Sequence, residues 1–166
     1  MNHFEAGPSV AREIRLALLA VTPVAATSIL GQFATYPNLE PWYANLAKPS
    51  FNPPNWVFAP VWTSLYLLMA FALWRILRLA ASRERSRALA LFIAMLVMNA
   101  AWSWMFFAAQ SPLLGLLNIV PQLILIAFVI AAFVRLEKLA GLVLVPLIGW
   151  VAFAGILNLS IWRLNP

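Results

Sequence analysis

The chain has 166 residues, of which 64% are hydrophobic and only 10% charged, with a formal net charge of +6. A soluble domain carries roughly a quarter of its residues charged, so this chain cannot clothe itself in a water-compatible surface, and lipid must be its main solvent. Cysteine and aspartate are absent, and the only histidine is His3 in the polar N-terminal tail. Disulfides, thiolate nucleophiles and Cys-ligated metals are thereby excluded, and no metal site or acid–base pair stands out. A positive balance would point a soluble protein towards nucleic acid. Here the basic residues fall between apolar runs, where membrane orientation accounts for them, and nucleic acid is not an expected partner.

Residues 1–13 read as a polar tail. A helix needs roughly 20 apolar residues to cross a bilayer, and 14–33 is the first such run. It is longer than the core of a secretory signal, so a retained span is expected, with a cleaved signal the lesser alternative. Residues 34–55 form a long connection in which Pro37, Pro41, Pro49, Pro53 and Pro54 rule out a continuous helix. The interleaved Trp42, Tyr43, Phe51 and Trp56 argue for an ordered, ligand-covering loop at the membrane interface. Further spans are expected at 56–77, 88–109, 113–134 and 139–161. Pro121 and Pro146 mark kink sites, and Ser111-Pro112 marks a tight turn. The fold class is all-α, an integral membrane bundle of five transmembrane helices. The absence of an internal repeat speaks against a duplicated transporter architecture.

Arg12, Arg15, Arg75, Arg78, Arg83, Arg85, Arg87, Arg135 and Lys138 share one side of such a bundle, and only Lys48 and Arg163 lie on the other. By the positive-inside rule the N-terminus is cytoplasmic, and a bacterial inner membrane is the favoured location.

Eight tryptophans are many for this length. Trp42, Trp74 and Trp162 lie near span ends, as an aromatic belt requires, whereas Trp62 and Trp150 lie deeper. Trp62 and Tyr66 share a helix face, as do Asn99, Trp102 and Phe106, and again Trp150, Ala154 and Asn158 with Leu157 alongside. Asn118 and Gln122 stack in the fourth span. Uncharged amides within spans commonly tie helices together. The alternative is a cavity with aromatic walls, a floor of small residues (Ala154, Gly155) and a few orienting amides. Aromatic faces suit flat conjugated rings or rigid polycycles, so a metal-free tetrapyrrole or a sterol is the expected ligand, and no bound metal or cofactor is expected. Lys48 and Arg163 either meet ligand carboxylates or snorkel to the interface. Ala90/Ala94 and Thr27/Gly31 have the small-xxx-small spacing that lets helices approach closely.

The run from Trp42 to Trp56 (WYANLAKPSFNPPNW) and the following Ala59-Pro60-Val61-Trp62-Thr63-Ser64-Leu65-Tyr66 resemble the WYxxLxKPxWxPPxW loop and PxWxxLY helix start of the TspO/translocator-protein family, also called tryptophan-rich sensory proteins or peripheral-type benzodiazepine receptors. Asn99, Trp102, Phe106-Phe107, Val145-Pro146, Trp150, Ala154, Leu157-Asn158 and Trp162-Arg163 extend the resemblance over nearly the whole chain beyond the tail. It implies a five-helix bundle, commonly a homodimer, with a pocket beneath the first loop that takes porphyrins such as protoporphyrin IX, sterols or synthetic drugs. Carried onto this chain, that pocket comprises Trp42, Tyr43, Trp56, Trp62, Asn99, Trp102, Trp150, Ala154 and Leu157. Tyr66, Phe106 and Asn158 join it by spacing.

Some departures matter. Phe51 replaces the usual loop tryptophan, and Ser103-Trp104 replaces a proline pair, which predicts a straighter third helix. Leu114 stands where animal members have Trp. Leu159 replaces the Tyr required by their cholesterol motif, so specific cholesterol recognition through that stretch is not expected. Three functions fit: a tetrapyrrole-binding receptor or sensor, which needs only the aromatic cavity; a light-dependent porphyrin-degrading enzyme, with Trp62 and Trp150 as its redox-capable walls; and a porphyrin or sterol transporter. Missing intramembrane charges argue against ion-coupled transport.

Overall fold

A computed structural model describes residues 9–166. His3 and its neighbours in the tail lie outside the described residues. Helix α1 (Val10–Thr35) is followed by a short 3-10 turn (Tyr36–Asn38) and a wide π turn (Leu39–Tyr43). Then come α2 (Asn55–Arg78), α3 (Arg83–Ser103) with a π turn at its end (Trp104–Ala108), α4 (Pro112–Leu136), short α5 (Lys138–Leu142) and α6 (Val145–Leu164). Among the described residues there is no strand. Five helical segments among them are long and apolar enough to cross a membrane, the last formed by α5 and α6 together. This is a multi-pass α-helical membrane protein.

The helices reach further into the charged segments than hydropathy alone indicates. Helix α1 starts at Val10, capped by Ser9, whose hydroxyl accepts from the Arg12 N–H. Helix α3 starts at Arg83, capped in the same way by Ser82. Such caps satisfy first-turn N–H groups that lack helical partners, and long arginine stems let charges sit at helix ends while the backbone continues into the bilayer. On the same connection, Arg85 donates to the carbonyls of Ile76 and Leu77, closing the last turn of α2.

One expectation about helix shape needs correction. The third helix is not a straight span to residue 109: after Ser103 its hydrogen bonds widen, with Ala109 N–H donating to the Trp104 carbonyl at 2.8 Å. The extra residue in that turn places Phe106 and Phe107 both in the interior. The fifth span is interrupted just before Pro146: Val143 and Leu144 form a turn between α5 and α6, and Pro146 stands in the first turn of α6, where its missing N–H removes nothing a helix would use. Gly141 lets α5 pack tightly against the end of α4: an added Cβ there would approach the Val134 nitrogen to 2.6 Å.

The bundle forms an open ring in the order α2, α1, α3, α4, α6, and α5 packs under the end of α2. Lipid tails are as apolar as leucine, so close packing and internal hydrogen bonds hold such a bundle together rather than burial from water. The central core is built by Met69, Ile76, Phe92, Met95, Ile126 and Phe133, with Phe92 and Phe133 stacked at 5.4 Å. Thr22, Thr27, Thr35, Thr63, Ser64 and Ser160 each donate to the carbonyl four residues earlier, so these intramembrane hydroxyls are satisfied on their own helices. Gly31 faces Ser103 of α3, where an added Cβ would meet the hydroxyl at 3.2 Å. The Thr27/Gly31 pair is therefore used inside the chain, whereas Ala90 and Ala94 lie on the exposed face of α3.

Candidate ligand-binding site

The connection between α1 and α2 caps one end of the ring. Helical structure gives way at Glu40, whose extended backbone (φ −124°, ψ 136°) is the conformation favoured before a proline. Three sets of hydrogen bonds hold the loop in place. The Lys48 ammonium donates to the carbonyls of Tyr43, Ala44 and Leu46 at 2.6, 3.2 and 3.1 Å and lies 4.5 Å from the centre of the Tyr43 ring. Asn165, beyond the end of α6, exchanges two hydrogen bonds with the backbone of Ala47. Gln110 has a left-handed backbone (φ 50°) between α3 and α4, and its side chain donates to Asn38 at 3.3 Å.

Beneath this loop the aromatic side chains converge. Trp42 meets Phe106 edge-on at 5.4 Å, Tyr43 meets Phe107 at 5.5 Å, and Trp102 stacks on Phe106 at 5.1 Å. Leu157 and Ile161 of α6 close the cluster. Such ring pairs add roughly 0.5–1.5 kcal/mol each beyond the area they bury, so this is a preferred packing of the protein on itself.

The amides stand at the base of the cluster. Trp102 donates its indole N–H to the Asn158 oxygen at 3.2 Å, and Asn158 donates to the Pro112 carbonyl at 2.6 Å, linking α3, α6 and α4. Tyr66 donates its hydroxyl to the Asn99 oxygen at 3.1 Å, linking α2 to α3, and Trp62 packs on Tyr66 at 5.5 Å. Asn118 and Gln122 are buried on α4, and the Asn118 oxygen has no hydrogen-bond partner among the described residues. Among the described residues, no three His, Cys, Asp or Glu side chains gather as metal ligands would.

Some expected site residues stand apart. Trp56, at the head of α2, is 74% exposed and outside the cluster. Trp150 meets Phe58 at 5.9 Å and Phe153 at 5.5 Å, and it lines a different space, a groove of about 510 Å³ between α2 and α6. Ala154 is half-buried one turn above it. Arg163 and Leu114 are exposed.

The TspO/MBR family matches residues 19–163. The chain is 45% identical over 126 residues to the tryptophan-rich protein TspO of Chlorobaculum tepidum, covering 75% of this chain and 80% of that one. It is 38% identical over 146 residues to the protein of the same name from Archaeoglobus fulgidus, covering 88% and 94%. It is 36% identical over 127 residues to the translocator protein of Sus scrofa, covering 75% of each. The chain belongs to the TspO/MBR family.

Within this TspO/MBR protein, several residues that shape the site were not singled out from sequence. Phe58 lies one turn before Trp62 on the same face of α2, so the stripe 58, 62, 66 carried a readable signal. Phe107 stands beside Phe106 in the family resemblance but outside the expected pocket, since only the π turn brings both inward. Asn165 carried no signal, because its partner Ala47 is 118 residues away in the chain.

Proposed function

We propose that this TspO/MBR protein is a membrane receptor or sensor for flat hydrophobic ligands, first among them tetrapyrroles such as protoporphyrin IX, with sterol-like molecules as the alternative class. The observation that carries the reading is the convergence of Trp42, Tyr43, Trp102 and Phe106 beneath the loop, with Trp62 and Tyr66 of α2 beside Asn99 and with Trp150 meeting Phe58 at the cluster's edge, in a membrane interior where the neutral amides Asn99 and Asn158 supply polar groups. Aromatic faces stack on a conjugated macrocycle, and neutral amides orient it without an intramembrane charge.

The nine cations at one end of the bundle support a cytoplasmic N-terminus and a bacterial inner membrane. The exposed pair Ala90 and Ala94, spaced for close helix approach, supports a homodimer through α3.

Titration of protoporphyrin IX into the purified protein tests the reading. Saturable quenching of tryptophan fluorescence in the dark, with a stable porphyrin absorption band under light, is the expected result. Light-dependent loss of that band in air, slowed in Trp62→Phe and Trp150→Phe, would instead make the protein an enzyme that oxidises the porphyrin at the expense of dioxygen. An absence of saturable quenching would remove porphyrin as the ligand.

A further inference from the structure

The seam between α2 and α6 is where the ring of helices fails to close. It is pinned at two points. At the basic end Arg75 forms a two-point ion pair with Glu137 at 2.9 and 3.0 Å, and nearer the loop Phe58 meets Trp150 edge-on at 5.9 Å. Along the seam lies the groove of about 510 Å³, lined on one side by Pro60, Ser64 and Leu68 and on the other by Gly149, Trp150 and Phe153. That volume falls within the range of about 300–1,000 Å³ usual for small-molecule sites.

Three features say what fills it. First, the lining residues lie within the two spans, so the mouth faces hydrocarbon rather than water. Second, none of them is ionisable, and the one hydroxyl, on Ser64, is already bonded to the Pro60 carbonyl at 2.9 Å. Third, one wall is the Trp150 indole, whose partner Phe58 also packs against the aromatic cluster beneath the loop, so the groove borders that cluster across a single aromatic contact. From the water side, by contrast, access to the cluster is barred by a loop held through Lys48 and Asn165.

We infer that the groove between α2 and α6 is a lateral docking site through which a flat, membrane-dissolved ligand reaches the aromatic cluster from the bilayer, not from water past the loop. The inference rests on the proposed tetrapyrrole reading. Gly149 is the key position: an added Cβ meets nothing within 4 Å, so a side chain there starts into open space at the groove wall.

The test uses the full chain in lipid nanodiscs and measures the association rate of protoporphyrin IX, delivered from vesicles, by tryptophan quenching. Gly149→Leu and Ser64→Leu fill the groove from opposite walls, so either one serves if the other does not fold. Each is expected to slow association at least tenfold, while Asn165→Ala, which frees the loop, stays within twofold of the unmodified chain. Groove variants that associate at the unmodified rate would overturn the inference and leave the groove a lipid-filled notch, as would a tenfold acceleration in Asn165→Ala. Failure of the unmodified protein to quench at all would bring down the tetrapyrrole reading itself.

Discussion

Asn165 holds Ala47 by both of its backbone polar groups: the Ala47 N–H donates to the Asn165 side-chain oxygen at 3.0 Å, and the Asn165 amide donates back to the Ala47 carbonyl at 3.0 Å. The same amide group reaches the Ile161 carbonyl at 2.7 Å, so the clasp is anchored on the last turn of α6. The loop over the aromatic cluster is thus tied to the far end of the chain.

Asn165→Ala removes that tie. Each hydrogen bond contributes a net of about 0.5–1.5 kcal/mol, and these are solvent-facing, so a loss of about 1 kcal/mol is expected. Hydrogen exchange at the Ala47 amide should speed severalfold, with core amides of α3 and α4 unchanged. An unaltered Ala47 rate would show that Lys48 alone holds the loop.

Lys48 spends its ammonium on three carbonyls. Lys48→Met should therefore loosen the loop at a cost of about 1–2 kcal/mol, without altering how the protein discriminates protoporphyrin IX from its dimethyl ester. Loss of that discrimination would place Lys48 on the ligand carboxylates instead. Arg163, exposed at the same end, is the residue whose replacement by Gln is expected to reduce any such preference.

Gly115 faces Asn158 so closely that an added Cβ would lie 2.7 Å from its oxygen and 3.0 Å from the Phe106 ring. Gly115→Ala should cost about 1–3 kcal/mol by overpacking. Asn158→Ala should cost about 1–3 kcal/mol, because the half-buried Trp102 N–H and Pro112 carbonyl both lose partners. The double variant relieves the clash, so thermal melts in detergent should show it less destabilised than the sum of the singles by about 1 kcal/mol. Strict additivity would refute the contact.

Glu137 joins α5 to α2. Arg75, bonded to both carboxylate oxygens, holds its carboxyl below the ordinary range; partial burial opposes this, and the N–H groups of Ala140 and Leu139 add to it. A depressed folded-state pKa means that the stabilisation is present above the unfolded value, about 4.3. It is lost as pH falls from there through the folded value. Thermal stability should therefore decline below about pH 4.3, and Glu137→Gln should lower it at neutral pH, by about 1 kcal/mol or less, while flattening that acid limb. An acid limb of unchanged steepness in Glu137→Gln would assign it to other carboxylates.

The sequence alone determined that the chain lives in lipid, that it has five spans, which end carries the cations and which family it belongs to. Those are local or additive properties: apolar runs of sufficient length, prolines that interrupt helices, and the contiguous motif from Trp42 to Tyr66. Tertiary structure decided the rest. That Trp56 stands in the open, that the Lys48 ammonium bonds carbonyls of its own loop, and that Trp150 lines the groove between α2 and α6 all depend on how the loop folds and how helices distant in sequence are rotated and spaced. A three- or four-residue repeat shows which side chains share a helix face. It does not show which neighbour that face meets, nor that the ring of helices stays open between α2 and α6, because such gaps arise from contacts that are never made and so leave no pattern in the chain.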